Sequence, residues 1–400
     1  MPKVSTDEKL IEKFLTRGVE NVYPSEDALR ERLVSGERLK AYQGFDPTGP
    51  YLHIGHAMGM RALRILQELG HEVIILVGDF TAIAGDPSDG KHRNIMTDKE
   101  IKANMEGWKK QASQLIDFGG KNPAKFMRNS TWLSKLTLRE IIELMSKTTV
   151  QQMLERDLYQ RKLKDTVPIG LQEFIYPIMQ GYDSVAMKVD IEIGGNDQIF
   201  NMLVGRTLVK EFLGKEKFVR AHELMEAPDA ITMSKTKGNG INLTDSPEDI
   251  YGKAMSYPDD LIFKAFRLLT NVDLEEVWGM QEEVKGGKNP MEFKKKLAFE
   301  ITKMLKGQKA AEKGEKHFEK AVQNKEVTKE QTKPVSVSGK MTVTDFLKET
   351  SKESASQIKR VIEQGGVEIN GRKVTDPHEV IEFKSGDVIK FGKRTYFKVE

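Results

Sequence analysis

The sequence contains no cysteine. This absence excludes disulfides, thiolate metal sites and cysteine nucleophiles, and it is typical of proteins from a reducing compartment. Long apolar runs are missing as well. No segment approaches the roughly 20 apolar residues that a membrane helix requires, and residues 1–20 are charged throughout, unlike a signal peptide. We therefore expect a soluble, cytoplasmic protein without a membrane segment.

An excess of one charge is also lacking, because 63 Lys and Arg residues nearly balance 60 Asp and Glu residues. The net charge thus predicts no partner. Two glycine signatures of nucleotide-binding folds are absent too, since no G-x-G-x-x-G follows a predicted strand and no G-x-x-x-x-G-K-[ST] occurs. A dinucleotide-dependent enzyme and a P-loop ATPase are therefore disfavoured. The length of 400 residues suits two or three domains.

The first informative segment joins a strand to a helix. Residues 39–45 are typical of a short strand, and the turn-forming residues 46–50 end it. From Gly55 the apolar residues recur at three- and four-residue steps, as in a helix. His53 and His56 therefore lie at a helix N-terminus, where unpaired N–H groups and the helix dipole favour a phosphate. A pair of surface histidines in a loop is the alternative interpretation.

The alternation of strands and helices predicts the fold class. Residues 72–77 form a continuous apolar run, which is typical of a strand buried on both faces of a parallel sheet. A polar loop follows at residues 85–93. Strand, helix and strand, with loops at the carboxyl ends, indicate an α/β fold, namely a Rossmann-like doubly wound parallel sheet.

A helical segment around residues 174–183 mixes polar and apolar side chains. Tyr176, Gln180 and Asp183 stand at i, i+4 and i+7 and therefore share one face. Because their neighbours are apolar, we expect these groups to be buried and to need polar partners, which a substrate could supply. The alternative is an amphipathic helix with an exposed polar stripe.

The next predicted strand, residues 189–193, leads into a polar turn. Its candidate ligand-binding residues are Gly194, Gly195, Asp197 and Gln198. Two glycines at a strand end allow a ligand to approach the backbone, and a carboxylate and an amide can bind hydroxyl groups. The alternative is an ordinary β–α turn capped by Asn196.

Residues 230–240 combine hydroxyl side chains, lysines and glycines without periodicity, which predicts a mobile basic loop. Such a loop is either simply solvated, or it brings a lysine to polyphosphate charge that develops in a transition state. Helical patterns then run from residue 246 to about 322, and a lysine-rich stretch ends in residues 334–339, which are typical of a linker.

The C-terminal residues form a separate small module. A helix begins after Ser354 and ends at Gly365, and Asn370-Gly371 predicts a hairpin among short β runs. A small basic α+β module after a linker favours RNA binding over a merely solvated face. The candidate contacts are Lys359, Arg360, Lys393 and Arg394.

These patterns predict the following organisation. A catalytic domain spans residues 1–228 and carries a helical insertion at about 125–188. An all-helical domain spans residues 229–325 and begins with the basic loop. A linker at 326–339 precedes the α+β RNA-binding module at 340–400.

Together, the motifs resemble those of class I aminoacyl-tRNA synthetases. His53-Ile54-Gly55-His56 is similar to the HIGH signature of that class, and Met233-Ser234-Lys235-Thr236 is similar to its KMSKS loop. Tyr42, the face of Tyr176, Gln180 and Asp183, and the turn at residues 194–198 resemble the bacterial tyrosyl-tRNA synthetases in particular. The resemblance covers essentially the whole chain. The C-terminal module is similar to that of ribosomal protein S-four, which bacterial tyrosyl enzymes append and tryptophanyl enzymes lack.

The resemblance implies a tyrosine–tRNA ligase with ATP as a substrate. The carboxylate of L-tyrosine attacks the α-phosphorus of ATP to form tyrosyl-adenylate and pyrophosphate, and the tyrosyl group then passes to the 3′ end of tRNA(Tyr). Because the substrate supplies the nucleophile, catalysis consists mostly of positioning and charge stabilisation. Mg²⁺ is expected with ATP, and no metal ligand cluster is visible in the sequence. The resemblance also implies a homodimer that buries residues of about 125–165.

The resemblance implies a role for each matching residue. The tyrosine-binding residues are Tyr42, Asp86, Tyr176, Gln180 and Asp183, of which Tyr42 and Asp183 hold the hydroxyl and the other three hold the ammonium. The ATP-binding residues are Gly44, Asp46, Gly55, Gly194, Asp197, Gln198, Met233 and Lys235. The residues that bind the triphosphate in the transition state are Thr48, His53, His56, Lys235 and Thr236.

Two positions depart from the family pattern. Thr232 replaces the first lysine of the KMSKS motif, so Lys235 or Lys237 must carry more of the phosphate contact. The loop after Asp86 is offset from the usual glycine placement, which leaves open whether Lys91 or Arg93 reaches the pyrophosphate.

Two rival functions follow from the same motifs. The nearest is a tryptophanyl-tRNA synthetase, against which the pairing of Tyr42 with Asp183 and the appended RNA-binding module both argue. The other is an RNA-binding protein, such as a splicing helper, that keeps the synthetase fold without its catalysis. A broken HIGH motif or a lost loop lysine would mark that class, but His53, His56 and Lys235 are all present.

Overall fold

A computed structural model describes residues 3–85, 96–225, 240–320, 332–337, 339–351, 353–392 and 395–400. The chain divides into two compact units, Met1–Gly314 and Glu315–Glu400. Each unit is described by itself.

The first unit is built on a six-stranded sheet. Its strands are β1 (Val19–Tyr23), β2 (Lys40–Phe45), β3 (Glu72–Val77), β4 (Lys125–Arg128), β5 (Ile191–Gly195) and β6 (Phe218–His222). They are ordered β1-β6-β5-β2-β3-β4. All neighbours run parallel except β1, which is antiparallel to β6. This arrangement confirms the predicted α/β fold class with a doubly wound parallel sheet.

The central strands are covered on both faces, as their apolar runs require. Residues 73–77 of β3 are all buried, and β2 lies beside them with Tyr42 opposite Ile74. From β2, the chain continues to β3 and β4 on one side of the sheet and to β5 and β6 on the other. The crevice at the carboxyl ends of β2 and β5 is therefore a topological switch point, where open α/β sheets bind their ligands.

Helices surround the sheet and form the rest of this unit. They are α1 (Glu8–Thr16), α2 (Glu26–Val34), α3 (Ile54–Glu68), α4 (Thr81–Ala84), α5 (Asp98–Met105), α6 (Trp108–Ala112), α7 (Ser130–Leu133), α8 (Leu138–Met145), α9 (Val150–Leu154), α10 (Asp157–Lys164), α11 (Leu171–Met187), α12 (Ile199–Leu213), α13 (Pro247–Met255), α14 (Ile262–Leu269), α15 (Leu274–Lys285), α16 (Pro290–Lys306) and α17 (Gln308–Phe318). Two 3₁₀ turns, Asn196–Gln198 and Asp259–Leu261, precede α12 and α14.

Three details differ from the sequence-based interpretation. The polar sequence of residues 1–35 predicts helices only, but β1 lies between α1 and α2 and pairs with β6. This pairing satisfies backbone groups that would otherwise form an open sheet edge. The helical segment predicted from residue 125 begins only after β4, which belongs to the sheet. Residues 332–335, predicted as part of a linker, form a strand.

Besides the end of α17, the described residues of the second unit form two helices and two small sheets. Its elements are β7 (Thr332–Val335), β8 (Gly339–Thr342), α18 (Val343–Thr350), α19 (Ala355–Glu363), β9 (Val367–Ile369), β10 (Arg372–Val374), β11 (Val380–Phe383), β12 (Val388–Phe391) and β13 (Thr395–Val399). One sheet has the order β10-β9-β12-β13-β7, and the other pairs β11 with β8. Asn370 and Gly371 both have positive φ in the β9–β10 hairpin, as their sequence predicts.

The core of the second unit is aromatic and aliphatic. The rings of Phe346 and Phe383 stack with centroids 4.2 Å apart, and Phe397 contacts Phe346 edge-on. Within the described ranges of both units, no helix is long and apolar enough to cross a membrane.

A buried histidine beside β3 predicts how stability depends on pH. Nδ1 of His71 accepts a hydrogen bond from the Leu39 N–H at 3.2 Å, and burial lowers the pKa of this histidine from 6.5 to about 4. The unfolded chain therefore binds the proton more tightly, and stability falls as the pH drops from 6.5 toward 4.

His71→Asn keeps an acceptor near the position of Nδ1 but has no group that titrates in this range. Between pH 7.5 and pH 5 we expect the variant to lose about 2 kcal/mol less of its free energy of unfolding than the wild-type protein loses. Urea unfolding at the two pH values measures the difference. An equal loss in both proteins would contradict the assignment of His71 as a buried neutral group.

Candidate functional site

The two histidines of the opening motif form the N-terminus of α3. His53 is the N-cap, and its Nδ1 accepts the Gly55 N–H at 3.2 Å. The His53 N–H donates in turn to Nδ1 of His56 at 3.0 Å, and the two rings lie 3.8 Å apart. Because both Nδ1 atoms accept, each neutral ring carries its proton on Nε2. Both imidazoles are thus hydrogen-bond donors at a helix N-terminus, the arrangement that suits phosphate oxygens.

Backbone pairing links this motif to the chain that follows the basic loop. Residues 226–239 lie outside the described ranges, and the structure resumes at Gly240. The Ile241 carbonyl accepts the Ile54 N–H at 2.8 Å, and Asn242 forms a β-bridge with His53. The end of the segment that contains the KMSKS-like residues is therefore anchored beside the histidines.

A carboxylate stands at the end of β2. Asp46 accepts hydrogen bonds from the hydroxyls of Thr81 at 2.7 Å and Tyr176 at 2.9 Å. Its backbone carbonyl accepts the Thr48 N–H at 2.8 Å. Gly78 has no room for a side chain, because a Cβ there would lie 2.0 Å from Asp46 Oδ1. The turn after β2 therefore positions Asp46 and Thr48 beside α11.

A second carboxylate is fully enclosed. Asp183 accepts hydrogen bonds from Trp132 Nε1 at 2.7 Å and from Asn129 Nδ2 at 3.1 Å. Asn129 is itself buried, donates to Thr81 and accepts the Phe80 N–H. Burial raises the pKa of Asp183 well above its usual value, although the two hydrogen bonds act in the opposite direction.

Tyr42, on β2, contacts α11. Its ring packs among apolar side chains in the core, and its hydroxyl is hydrogen-bonded to Ser184 Oγ at 2.9 Å. Burial, with the charges of Glu192 and Asp183, raises the pKa of this phenol well above its usual value. The hydroxyl is therefore neutral and available only for hydrogen bonding.

Gln180 is half-buried on the same helix. Its Nε2 donates to Glu192 Oε1 on β5 at 3.1 Å. Glu192 also accepts from Ser184 at 3.3 Å and forms an ion pair with Lys217. The three polar side chains of this α11 face therefore contact different parts of the unit. Tyr176 contacts the turn after β2, Asp183 contacts the residues that follow β4, and Gln180 contacts β5.

The glycines that end β5 leave no room for side chains, because protein atoms surround them. Gly194 and Gly195 are buried, and a Cβ on Gly194 would lie 2.8 Å from Met202 Sδ. Asp197 is exposed and accepts from Gln198 at 3.1 Å. On β2, Gly44 is exposed, and a Cβ there would meet only ordinary contacts, so its absence leaves the strand surface open.

On the second unit, Lys359 is half-buried and Arg360 is exposed on α19. Within the described residues, neither forms an ion pair with a carboxylate. Six further candidates lie outside the described residues, namely Asp86, Met233, Lys235, Thr236, Lys393 and Arg394.

Sequence reasoning missed several polar residues that hold this cluster together. They are Thr81, Asn129, Trp132, Ser184, Glu192 and Lys217. A usable signal existed for Asn129, since it directly follows Lys125-Phe126-Met127-Arg128, a short β-like run, and polar residues at strand ends meet at one edge of a parallel sheet. Lys217 offered no comparable signal, because a lysine before a strand is usually solvated.

The geometry combines two chemical capacities. Imidazole donors and a helix N-terminus can bind a polyphosphate at the outer side of the crevice. Buried hydroxyl and carboxyl groups of Tyr42, Asp183 and Asp46 can bind a small polar molecule deeper between β2 and α11.

Comparison with known proteins decides the family. The model of the class I tRNA synthetases for tryptophan and tyrosine matches residues 35–323. The chain belongs to this family. It is therefore a ligase of the aminoacyl-tRNA synthetase type, and a second model, that of the S4 domain, matches residues 344–389 and confirms the RNA-binding module.

Similar proteins extend over nearly the full length. A tyrosine–tRNA ligase from Thermotoga maritima is 38% identical over 391 residues, which cover 97% of this chain and 96% of the relative. One from Dehalococcoides mccartyi is 39% identical over 397 residues, with 98% of each chain covered. The resemblance to bacterial tyrosyl enzymes is thereby confirmed.

Solved structures agree on the fold. The tyrosyl-tRNA synthetase of Archaeoglobus fulgidus, crystallised with L-tyrosine, superimposes with a TM-score of 0.60 at 24% identity and covers 78% of this chain and 100% of its own. A truncated mitochondrial tyrosyl-tRNA synthetase from Aspergillus nidulans gives a TM-score of 0.65 at 22% identity over 77% of this chain and 92% of its own.

Proposed function

We propose that this ligase activates L-tyrosine with ATP and transfers the tyrosyl group to tRNA(Tyr). The carboxylate oxygen of tyrosine forms a bond to the α-phosphorus, the bond to the β-phosphate breaks, and pyrophosphate leaves. A hydroxyl of the terminal ribose of the tRNA then attacks the carbonyl carbon and displaces AMP. One observation carries this proposal. Tyr42 and Asp183 are both buried, and the same unit has two imidazole donors at the N-terminus of α3, where a phosphate binds favourably.

The phosphate side of the reaction needs donors that act on developing charge. His53 and His56 supply Nε2 protons, and Thr48 lies at the turn before them. Lys235 and Thr236 complete this group from the loop whose end is anchored at Ile241. Mg²⁺ arrives with ATP, so the protein needs only to bind the complex that the ion forms with the triphosphate.

The tyrosine side needs groups for a phenol and an ammonium. Asp183 and Tyr42 hold the hydroxyl, and Tyr176, Gln180 and Asp86 hold the ammonium. A site with buried partners for a hydroxyl rejects the analogue that lacks it, because those partners would be left unpaired; tyrosyl-tRNA synthetases are the usual example of this effect. Such a site needs no editing domain.

The adenosine side lies at the strand ends. Gly44 is exposed on β2 and lets the nucleotide approach the backbone, and Gly55 and Gly194 are the other two glycines of the nucleotide site. Hydrogen bonds come from Asp46, Asp197 and Gln198, and Met233 contributes a contact from the loop. The exposed carboxylate of Asp197 suits ribose hydroxyls.

The second unit and the chain's location follow from the same function. Lys359 and Arg360, with Lys393 and Arg394, contact tRNA(Tyr) through its phosphates. The lack of a carboxylate partner for Lys359 or Arg360 among the described residues supports this role. Aminoacylation takes place in the cytoplasm, and the protein works there without a membrane.

The functional protein is a homodimer. Within the helical segment of residues 125–171, several large apolar side chains are exposed. They are Leu138, Ile142, Met145, Val150, Leu163, Val167 and Leu171. Leu138, Ile142 and Met145 share one face of α8, which is the pattern of a helix that packs against a partner.

Pyrophosphate exchange tests the proposed function directly. The purified chain is incubated with ATP and labelled pyrophosphate, and tyrosine, tryptophan or no amino acid is added. We expect exchange with tyrosine alone, since Asp183 and Tyr42 provide hydrogen-bond partners for a hydroxyl group, and the indole of tryptophan has no hydroxyl. Exchange with tryptophan would indicate the tryptophanyl alternative, and no exchange with either would support a non-catalytic RNA-binding protein.

Asp183→Asn tests the proposed contact between Asp183 and the hydroxyl of tyrosine. Asparagine offers one acceptor where the carboxylate serves Trp132, Asn129 and the substrate, so we expect kcat/KM for tyrosine to fall on the order of a hundredfold, the effect of a lost hydrogen bond to a charged group. Asp165→Asn, at an exposed position after α10, is the control. Nearly intact exchange in the Asp183 variant would overturn the assignment.

Light scattering tests the dimer. We expect the wild-type protein to have twice the mass of one chain, and Leu138→Glu combined with Ile142→Glu to be monomeric, because two charges would be buried at the interface. Trp278→Glu, on the exposed surface of α15, should leave the dimer intact. A monomeric wild-type protein would refute the proposal.

A further inference from the structure

A buried ion pair lies directly behind the proposed tyrosine site. The side chain of Lys217, just before β6, is fully buried, and that of Glu192 on β5 is 3% exposed. Burial lowers the pKa of the Lys217 ammonium, and the charge of Glu192 opposes this shift. Buried pairs of this kind contribute little net stability relative to apolar residues, so another role for the pair is worth seeking.

The ammonium of Lys217 is completely satisfied by the protein. It donates to Glu192, to Ser184 Oγ at 2.9 Å and to the Met202 carbonyl at 3.1 Å. It also fills space next to Gly205, where a Cβ would lie 2.5 Å from Nζ. Because each of its three N–H groups has an acceptor, the ammonium of Lys217 is held in one orientation.

The two oxygens of Glu192 transmit that orientation to α11. Oε1 accepts from Gln180 Nε2 at 3.1 Å, and Oε2 accepts from Ser184 Oγ at 3.3 Å. Gln180 belongs to the proposed ammonium site, and Ser184 contacts the hydroxyl of Tyr42. One ion pair thus supports both ends of the proposed tyrosine site.

The hydrogen-bond directions follow from a count of protons. Ser184 Oγ accepts from Lys217 and has a single proton of its own. The carboxylate of Glu192 is the charged acceptor within its reach, so the serine proton points there. The hydroxyl of Tyr42 is hydrogen-bonded to the same serine oxygen, so the ion pair also fixes the position of this hydroxyl through Ser184.

We propose that Lys217 is a positioning residue for tyrosine: together with Glu192 it orients Gln180 at the ammonium end and, through Ser184, Tyr42 at the hydroxyl end of the site. This inference rests on the proposed function. It adds a specificity determinant that lies outside the substrate contacts and acts only through other side chains.

Lys217→Met removes the ammonium and keeps an apolar chain of similar length. Ser184 and Glu192 then lose the donor that fixes them and can turn away from Tyr42 and Gln180. We expect KM for tyrosine in pyrophosphate exchange to rise roughly tenfold, the effect of about one hydrogen bond, with KM for ATP unchanged. Discrimination between tyrosine and phenylalanine should fall by a similar factor.

A second variant separates positioning from stability. Lys217→Met leaves Glu192 as an unpaired buried charge and can lower the melting temperature. Lys217→Met combined with Glu192→Gln removes both charges, so the melting temperature should recover while KM for tyrosine and the discrimination remain impaired. Recovery of both kinetic values in the double variant would overturn the proposal, because the pair would then be only structural.

Lys215→Met is the matched control. Lys215 lies two residues away, forms a partly exposed ion pair with Asp190 at 2.8 Å and donates to the Lys188 carbonyl at 3.0 Å. Its kinetics should match the wild type, and a rise in its KM for tyrosine equal to that of Lys217→Met would also overturn the proposal. A wild-type protein without tyrosine-dependent exchange would refute the proposed function itself, which distinguishes that failure from this one.

Discussion

Buried polar groups must be paired, and this constraint organises the site. Four ionisable or strongly polar side chains, those of Tyr42, Asp183, Glu192 and Lys217, lie inside the sheet–helix interface, where an unpaired polar group costs about 1–3 kcal/mol. Each of these side chains is hydrogen-bonded to residues of elements other than its own. The same bonds therefore hold α11 against β2, β4 and β5 and place hydroxyl and carboxyl groups where a small polar substrate fits.

The parallel sheet makes this arrangement possible. Its switch point at β2 brings the ends of β2 and β5 together, and the helix that follows β2 presents its N-terminus to the same crevice. The histidines proposed to bind phosphate therefore lie at this crevice, and the described residues contain no group of three or more potential metal ligands. Reactions in which one substrate supplies the nucleophile need such positioning more than they need a reactive side chain.

Much of the fold was readable from local patterns. Apolar runs predicted β2, β3 and β5, the three-to-four-residue periodicity predicted α3 and α11, and Asn370-Gly371 predicted a hairpin. The strand β1 was missed because its residues are half-buried and do not alternate clearly, and its conformation depends on the edge of β6. The strand β7 was missed for the same reason, since it exists by pairing with β13.

The sequence by itself determined the class of reaction, because His53-Ile54-Gly55-His56 and Met233-Ser234-Lys235-Thr236 are contiguous motifs whose chemistry is local. Helical periodicity also showed that Tyr176, Gln180 and Asp183 share one face, and the resemblance to the bacterial tyrosyl enzymes added Tyr42. Only the tertiary structure decided what those side chains contact. The partners Asn129, Trp132, Glu192 and Lys217 come from separate segments, and a hydrogen bond requires a distance and a direction that no one-dimensional spacing contains.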